Sequence, residues 1–413
     1  MNRTGDQLSI LGFGCMRLPQ KRGMPGEGKI DEKKATSQIR YAIDHGVNYV
    51  DTAFFYHMGG SEPFLGRALK DGYREKVRLA TKLPTYAVKD YEDMNRLLKI
   101  QLDKLATDHI DYYLLHALYG INWGKIKSLG ALDFLEKAKT DGRIVNIGFS
   151  FHGDVDTFKE IVDAYDWSFC QIQYNFLDEK SQAGKEGLKY AAEKGLGVIV
   201  MEPLRGGLLA GKVPEEAQAI WNEADIKRSP AEWALRWIWN HPEVTVVLSG
   251  MNEEAHIEEN LRIADKALPN SLTEKELVLI SRVEAAYRML TKAGCTGCRY
   301  CMPCPSGVDI PGCFEAYDTL KMFNDANRAT WVYGRNFAFI HTEPAYASLC
   351  KECEKCLEKC PQHLPIPDLL KEVTKEFENT KFKIMCWIFK RFLTFQRWGA
   401  LRKAKRIEKR QSN

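Results

Sequence analysis

No stretch of this chain reaches eighteen consecutive apolar residues, so none of it reads as a bilayer-spanning helix. The opening residues, Met1 to Gln7, run into polar sequence without the apolar core and small-residue cleavage site of a secretory signal, and the expected location is cytoplasmic. A strong overall charge is missing too, since 59 Lys and Arg against 55 Asp and Glu leave only +4. Acids are scarce in one place: across residues 381–413 Glu408 stands alone against eleven Lys and Arg, which makes that segment +10 and the remainder −6. A net-acidic main body argues against nucleic acid as its partner. Also absent is the scatter of cysteines that disulfide staples require. Of twelve cysteines, eight fall in two tight runs, and in a cytosolic chain that reads as metal binding.

What is present divides the chain. At 413 residues it exceeds the size of one growing core, so a large and a small domain are expected. Short apolar runs alternate with helix-period stretches up to about residue 265, the pattern of repeated strand-helix units around a parallel sheet. Eight strands are predicted, at Ile10–Cys15, Val47–Asp51, Val77–Lys82, Ile110–His116, Ile144–Ser150, Phe169–Tyr174, Gly197–Glu202 and Val244–Ser249. Helices are predicted at Glu32–His45, Tyr91–Leu105, Leu129–Thr140, Asp154–Ala164, Ser181–Lys194, Pro230–Trp239 and Leu272–Leu290, with Phe314–Arg328 following further on. Asp141-Gly142 and Lys194-Gly195 are helix stops, and Ser229-Pro230 sets a cap before proline at the first helical position. The expected class is α/β: a (β/α)8 TIM barrel over residues 1–290, a small, mainly helical iron-sulfur domain over 291–370 and a basic tail over 371–413.

In such a barrel the chemistry sits at the C-terminal strand ends. There the sequence sets Asp51 and, five residues on, Tyr56 after the second strand, Lys82 in the third and His116 in the fourth. A carbonyl undergoing reduction needs a proton as hydride arrives, and a tyrosine supplies it where a cation stabilises the phenolate. Lys82 is the candidate cation, Asp51 holds it charged, and His116 orients the carbonyl oxygen. Taken singly, these residues read as a turn aspartate, a packing aromatic, a solvated lysine and a core histidine. Together, over roughly residues 8–265, they resemble the Asp, Tyr, Lys and His tetrad of the aldo-keto reductase superfamily. That resemblance implies a nicotinamide-dependent oxidoreductase acting on a small carbonyl or alcohol.

The likeness extends to a cofactor site. Gly148-Phe149-Ser150 resembles the family's Gly-x-Ser-Asn, with Phe151 where asparagine usually lies, and Gln171 matches the glutamine that holds the nicotinamide carboxamide with that serine. Met201 stands where many members stack an aromatic. Pro203-Leu204-Arg205-Gly206-Gly207 is similar to the loop that wraps the pyrophosphate, where glycine lets backbone N–H groups approach phosphate. Glu259 and Asn260 match adenine-binding residues, while Gly250 and His256 replace the Lys and Arg that clamp the NADPH 2′-phosphate. Without those cations, preference for NADPH over NADH does not follow. The sequence has no distinct flavin motif, although the phosphate loop has the chemistry to accept one.

The cysteine runs are Cys295, Cys298, Cys301, Cys304-Pro305 and Cys350, Cys353, Cys356, Cys360-Pro361. The second, C-x2-C-x2-C-x3-C-P, is the bacterial ferredoxin signature, in which the fourth cysteine ligates the partner cluster. The crossed pattern assigns Cys295, Cys298, Cys301 and Cys360 to one [4Fe-4S] cluster and Cys350, Cys353, Cys356 and Cys304 to the other. With some forty-five residues between the runs, the module resembles an alpha-helical two-cluster ferredoxin. Paired zinc sites are the competing reading, but zinc needs no third close cysteine. Cys313 is a substitute ligand candidate, and Cys15, Cys170 and Cys386 read as small buried residues.

The stretch 381–400 is basic and amphipathic, suited to an anionic membrane surface, to a partner, or simply to docking with its charges solvated. The clusters admit two further roles, exchanging electrons with a redox partner protein or fastening the module. Trp123 and Arg17 are the expected substrate-wall residues.

Overall fold

The computed structural model describes residues 3–21, 28–211, 213–339, 344–380, 382–384 and 386–387. The basic stretch beyond residue 387 lies outside them. The chain divides into two compact units. The first comprises Met1–Val213 and Ile220–Ser281, and the second Pro214–Ala219 together with the chain from Arg282 on.

The first unit is a closed parallel barrel of β1 (Leu11–Gly14), β2 (Tyr49–Asp51), β3 (Arg78–Leu83), β4 (Ile110–Leu118), β5 (Ile144–Phe151), β6 (Phe169–Gln173), β7 (Gly197–Met201) and β8 (Val244–Ser249), with β8 pairing back to β1. Around it run α1 (Glu32–Asp44), α2 (Ser61–Ala68), α3 (Tyr91–Leu105), α4 (Gly120–Ser128), α5 (Ala131–Thr140), α6 (Val155–Asp163), α7 (Gly184–Glu193), α9 (Pro230–Trp239) and α10 (Glu254–Ala264), while α8 (Glu215–Trp221) and α11 (Glu274–Met289) each carry residues of both units. Side-chain caps start several of these. Asp90, Asp154 and Ser229 accept the backbone N–H of Asp93, Thr157 and Glu232 at 2.9, 2.9 and 3.0 Å.

The eight expected strands are all present, with shifted ends. The first is trimmed to Leu11–Gly14, because Cys15 already turns into a 3-10 helix, and the second begins only at Tyr49. The fourth runs past His116 to Leu118, with a register irregularity against β5. The helix expected from Leu129 starts at Ala131, since Gly130 at φ +82° cannot continue a helix, and a separate α4 precedes it.

Strand alternation decides what faces the interior. Tyr49, Ala80, Tyr112, Leu114, Phe169, Ile199, Val246 and Leu248 fill it with one apolar cluster. Side chains two positions further along a strand face the same way. The next inward positions on β2, β3, β4 and β6 are therefore Asp51, Lys82, His116 and Gln171, at the C-terminal mouth. Gly148 of β5 leaves room for the Phe169 ring, since a Cβ there would lie 2.5 Å from it.

The second unit contains α12 (Ile310–Phe323), α13 (Ala326–Gly334) and α14 (Ile366–Phe377) around Phe314, Tyr333, Val373 and Phe377. Tyr333 and Phe377 stack with centroids 4.5 Å apart. The single helix expected over Phe314–Arg328 is broken in two. Asn324 adopts φ +50°, and the Asp325 side chain caps α13 through Arg328 N at 3.1 Å. Among the described residues no helix is long and apolar enough to cross a membrane.

Gly66 of α2 sits where a Cβ would lie 2.5 Å from the Lys104 carbonyl oxygen and 2.8 Å from Leu105 carbonyl carbon. Both neighbours are backbone and cannot swing aside. Gly66→Ala is expected to destabilise the barrel by about 1–3 kcal/mol in chemical denaturation; wild-type stability would show that α2 and α3 are less closely seated.

Candidate active site and cysteine module

Lys82 is almost fully buried, yet its ammonium is saturated. Nζ lies 2.8 and 2.6 Å from the two Asp51 carboxylate oxygens and 2.7 Å from the Thr52 carbonyl. Behind it, Gln101 on α3 donates to the Lys82 carbonyl at 3.0 Å and to the buried Glu62 carboxylate at 2.6 Å, and Glu62 also accepts from Thr81 at 2.9 Å. The strand that carries the lysine is thus held by polar bonds on its outer side.

Tyr56 follows β2 in a turn whose next residues, His57 and Met58, are left-handed at φ 54° and 55°. Such backbone persists only where the surroundings fix it. His57 does the fixing: Nε2 accepts from Leu18 N at 3.1 Å, and Nδ1 donates to the Gly28 carbonyl at 3.2 Å. The turn brings the Tyr56 ring centroid to 5.1 Å from Lys82 Nζ and to 6.4 Å from the His116 ring.

Electrostatics follow from this burial. For Lys82, desolvation works against the ammonium, but Asp51 and then Tyr56 outweigh it and its pKa stands above the ordinary lysine value. Burial raises the Tyr56 pKa against the pull of Lys82, so Tyr56 carries its proton. Desolvation first, then the Lys82 charge, push His116 well below its ordinary value, so the imidazole is neutral. Its buried Nδ1 has no hydrogen-bond partner among the described residues.

Across the mouth, Ser150 Oγ accepts from Ala117 N at 2.7 Å, with Ala117 itself left-handed at φ 53°. Gln171 donates to Met201 Sδ at 3.5 Å, while its buried Oε1 has no partner. Pro203 and Leu204 lead from β7 into Gly206 and Gly207, left-handed at φ 69° and 91°, a conformation glycine adopts freely. Glu259 accepts from Ser229 at 2.6 Å, and the buried Asn260 donates to Ser249 at the end of β8 at 2.9 Å. Gly250 and His256 are exposed.

Two expectations fail. Trp123 is no wall residue: it is 2% exposed, against the Trp167 ring at 6.3 Å, with its indole N–H on Glu160 at 3.1 Å. Arg17 instead donates to the Gly206 carbonyl and lies against Gly250, on the phosphate-loop side. The aromatic rim is made by Phe55 and Tyr86, exposed, with centroids 5.1 Å apart. Sequence reasoning also missed His57, Glu62 and Gln101. The one signal was local, in that His57 directly follows Tyr56.

No disulfide joins any of the twelve cysteines. Cys295, Cys298, Cys301 and Cys360 line one cavity, and Cys304, Cys350, Cys353 and Cys356 line a second, into which Cys301 also reaches. Among the described residues no three His, Cys, Asp or Glu side chains stand close enough to share a single metal ion, so the thiols surround spaces rather than a point. The two runs are conformational copies. Gly297 and Arg299 in one, and Glu352 and Glu354 in the other, hold positive φ at matching positions, and Gly297 N and Glu352 N each donate to the first cysteine sulfur at 3.4 Å. Backbone N–H groups so curled make an anion-binding nest. Burial pushes the Cys301 thiol up to about 11, so a thiolate there needs nearby positive charge. Cys313 is not a substitute ligand, being fully buried with its sulfur 3.8 Å from the Tyr333 hydroxyl. Cys15 and Cys170 are buried apolar residues.

A closed parallel barrel whose C-terminal mouth holds a sequestered lysine-carboxylate pair beside a protonated tyrosine is the framework of a barrel oxidoreductase. Residues 10–275 match the aldo/keto reductase family, and the chain belongs to it; residues 294–364 match the 4Fe-4S dicluster domain. A probable aldo-keto reductase from Glycine max is 25% identical over 312 residues, covering 67% of this chain and 86% of its own length. The NADH-specific methylglyoxal reductase of Escherichia coli (strain K12) is 24% identical over 333 residues, covering 69% and 98%. The crystal structure of an aldo-keto reductase from Klebsiella pneumoniae in complex with NADPH is similar at 25% identity and a TM-score of 0.55, covering 67% of this chain and 91% of that one.

The His116 environment sets a pH dependence. Below its ordinary value near 6.5 the unfolded chain binds a proton that folded His116 refuses, so stability falls as pH drops. His116→Gln is expected to flatten stability against pH between about 6.5 and 5, by at most about 1.4 kcal/mol per unit, the contribution of one proton, with His57 and His241 keeping their own share. Urea denaturation across that range measures it, and an unchanged slope would mean that folded His116 accepts the proton.

Proposed function

We propose that the chain is a nicotinamide-dependent reductase of a small carbonyl compound, or the alcohol dehydrogenase of the reverse reaction, with Tyr56 as general acid or base. The observation that carries this is the buried Lys82–Asp51 pair beside Tyr56. When bound, the nicotinamide supplies or accepts the hydride. Tyr56 Oη gives its proton to the carbonyl oxygen, and the Lys82 ammonium, kept charged by Asp51, stabilises the phenolate left behind. His116, neutral, donates a hydrogen bond to the same oxygen and orients it. In the oxidising direction Tyr56 takes the proton back.

The residues present fit the cofactor. The unpartnered Gln171 Oε1 and the Ser150 hydroxyl, whose proton is free to donate, would hold the carboxamide. Pro203, Leu204, Gly206 and Gly207 would line the pyrophosphate loop, and Gly250, Glu259 and Asn260 the adenosine end. Relatives described as NADH-specific and as NADPH-bound both exist, and at the positions of the 2′-phosphate clamp Gly250 and His256 offer no permanent cation. NADH is the favoured partner on that ground.

The eight cysteines would hold two [4Fe-4S] clusters in the crossed arrangement. The thiol quartets, their nested backbone and the dicluster match support that reading, and the clusters' chemistry is one-electron transfer. A redox partner protein then exchanges electrons with the module.

Tyr56→Phe is expected to lower turnover by about 10²–10⁴ while nicotinamide binding stays near normal; retained turnover would sink the mechanism. Protein purified under anaerobic conditions should contain roughly eight irons per chain. Mixing it with NADH and following the iron-sulfur absorbance tests coupling. Bleaching links the barrel to the clusters, and an unchanged spectrum with intact turnover separates them.

A further inference from the structure

The two cavities of the cysteine module share one backbone design and differ most in charge. Each has one exposed cysteine, Cys298 or Cys353, one N–H to sulfur bond at 3.4 Å and the same two left-handed positions. Around Cys304, Cys350, Cys353 and Cys356 the charged lining is Lys351, Lys355 and Lys359 against the one acid Glu354. The adjacent Glu352 is paired with Lys371 at 2.7 Å.

The other cavity is lined by one charged residue among those described, Arg299, whose guanidinium lies 3.5 Å from Asp309. Its remaining wall is uncharged and largely apolar, with Thr296 and Gln362 beside Ile310, Phe314, Leu364 and Ile366. Behind its first turn stands buried Asp318, accepting the backbone N–H groups of Lys292, Ala293 and Gly294 at 2.7, 2.7 and 3.1 Å.

We propose that the two clusters are inequivalent, and that the one held by Cys304, Cys350, Cys353 and Cys356 is the more easily reduced, so that an electron entering the module comes to rest there. This rests on the reading that the eight cysteines hold [4Fe-4S] clusters. Reduction adds one electron from a one-electron donor, forms and breaks no bond, and leaves one more negative charge on the cluster. Three lysines against one acid stabilise that charge, while a buried carboxylate behind a largely apolar wall opposes it. Hydrogen bonds to sulfur are matched between the sites, and the partial exposure of Cys304 against the burial of Cys360 works in the same direction as the fixed charge.

The test is an anaerobic titration of the full-length, cluster-loaded protein with dithionite, followed by EPR. Two one-electron steps are expected, their reduction constants at least tenfold apart, or about 59 mV. Combining Lys351→Gln, Lys355→Gln and Lys359→Gln should move the more positive step down and leave the other in place. Asp318→Asn, which keeps an acceptor for the Lys292 and Ala293 N–H groups, should move the more negative step up. The lysine set, on exposed side chains, carries the test should the aspartate variant fail to fold. Coincident steps, or a lysine variant that moves the more negative step, both steps alike or neither, would overturn the assignment. Iron and sulfide analysis of the same samples judges the underlying reading separately, since a content short of two clusters sinks that reading itself.

Discussion

A lysine ammonium taken out of water inside a protein costs several kcal/mol unless its partners replace the lost solvent. The interaction between Lys82 and both oxygens of Asp51, completed by the Thr52 carbonyl, meets that cost, and the barrel mouth is arranged around it. Removing one partner of such a pair costs about 3–5 kcal/mol, because the other is left charged and alone. The pair also sets its neighbours' proton states. Its cation adds to the desolvation that keeps His116 neutral, and it pulls the Tyr56 proton toward release against the burial that retains it. The outer bonds from Gln101 and Glu62 hold the strand so that this geometry does not drift.

The cysteine module answers a different constraint. Its core is one cluster of helix faces and aromatic rings, against which Cys295, Cys301, Cys304, Cys350 and Cys356 pack from the two loops. Residues such as Glu352 and Glu354 sit at positive φ, which costs an L-residue of order 1 kcal/mol each. A ligand bound to the thiols returns more than that, so binding and local order in these loops are coupled. The same backbone shape repeated in both runs leaves side-chain charge as the main variable between the sites.

Much of the barrel was legible in sequence because parallel strands are buried on both faces and read as plain apolar runs. The mouth was legible through alternation, since Asp51, Lys82 and His116 each lie two residues past an inward apolar side chain. Short helices such as α2 and α4 carried no cap or period strong enough to announce them. Trp123 illustrates the limit: its expected place is the substrate wall, yet α4 turns it inward against Trp167. Glu62 and Gln101 are thirty-nine residues apart and meet only because α2 and α3 seat closely at Gly66.

The order of strands and helices, the residue types at each strand end and the spacing of the cysteines are properties of the sequence by itself, because they rest on short-range periodicity and ligand chemistry. Tertiary structure alone decided which groups meet: that His57 pins the Tyr56 turn, that Gln101 reaches Glu62, and that Cys313 is sealed in the core. Such pairings depend on closing chain segments tens of residues long, and their outcome is set by the packing of the whole unit, which no local pattern encodes.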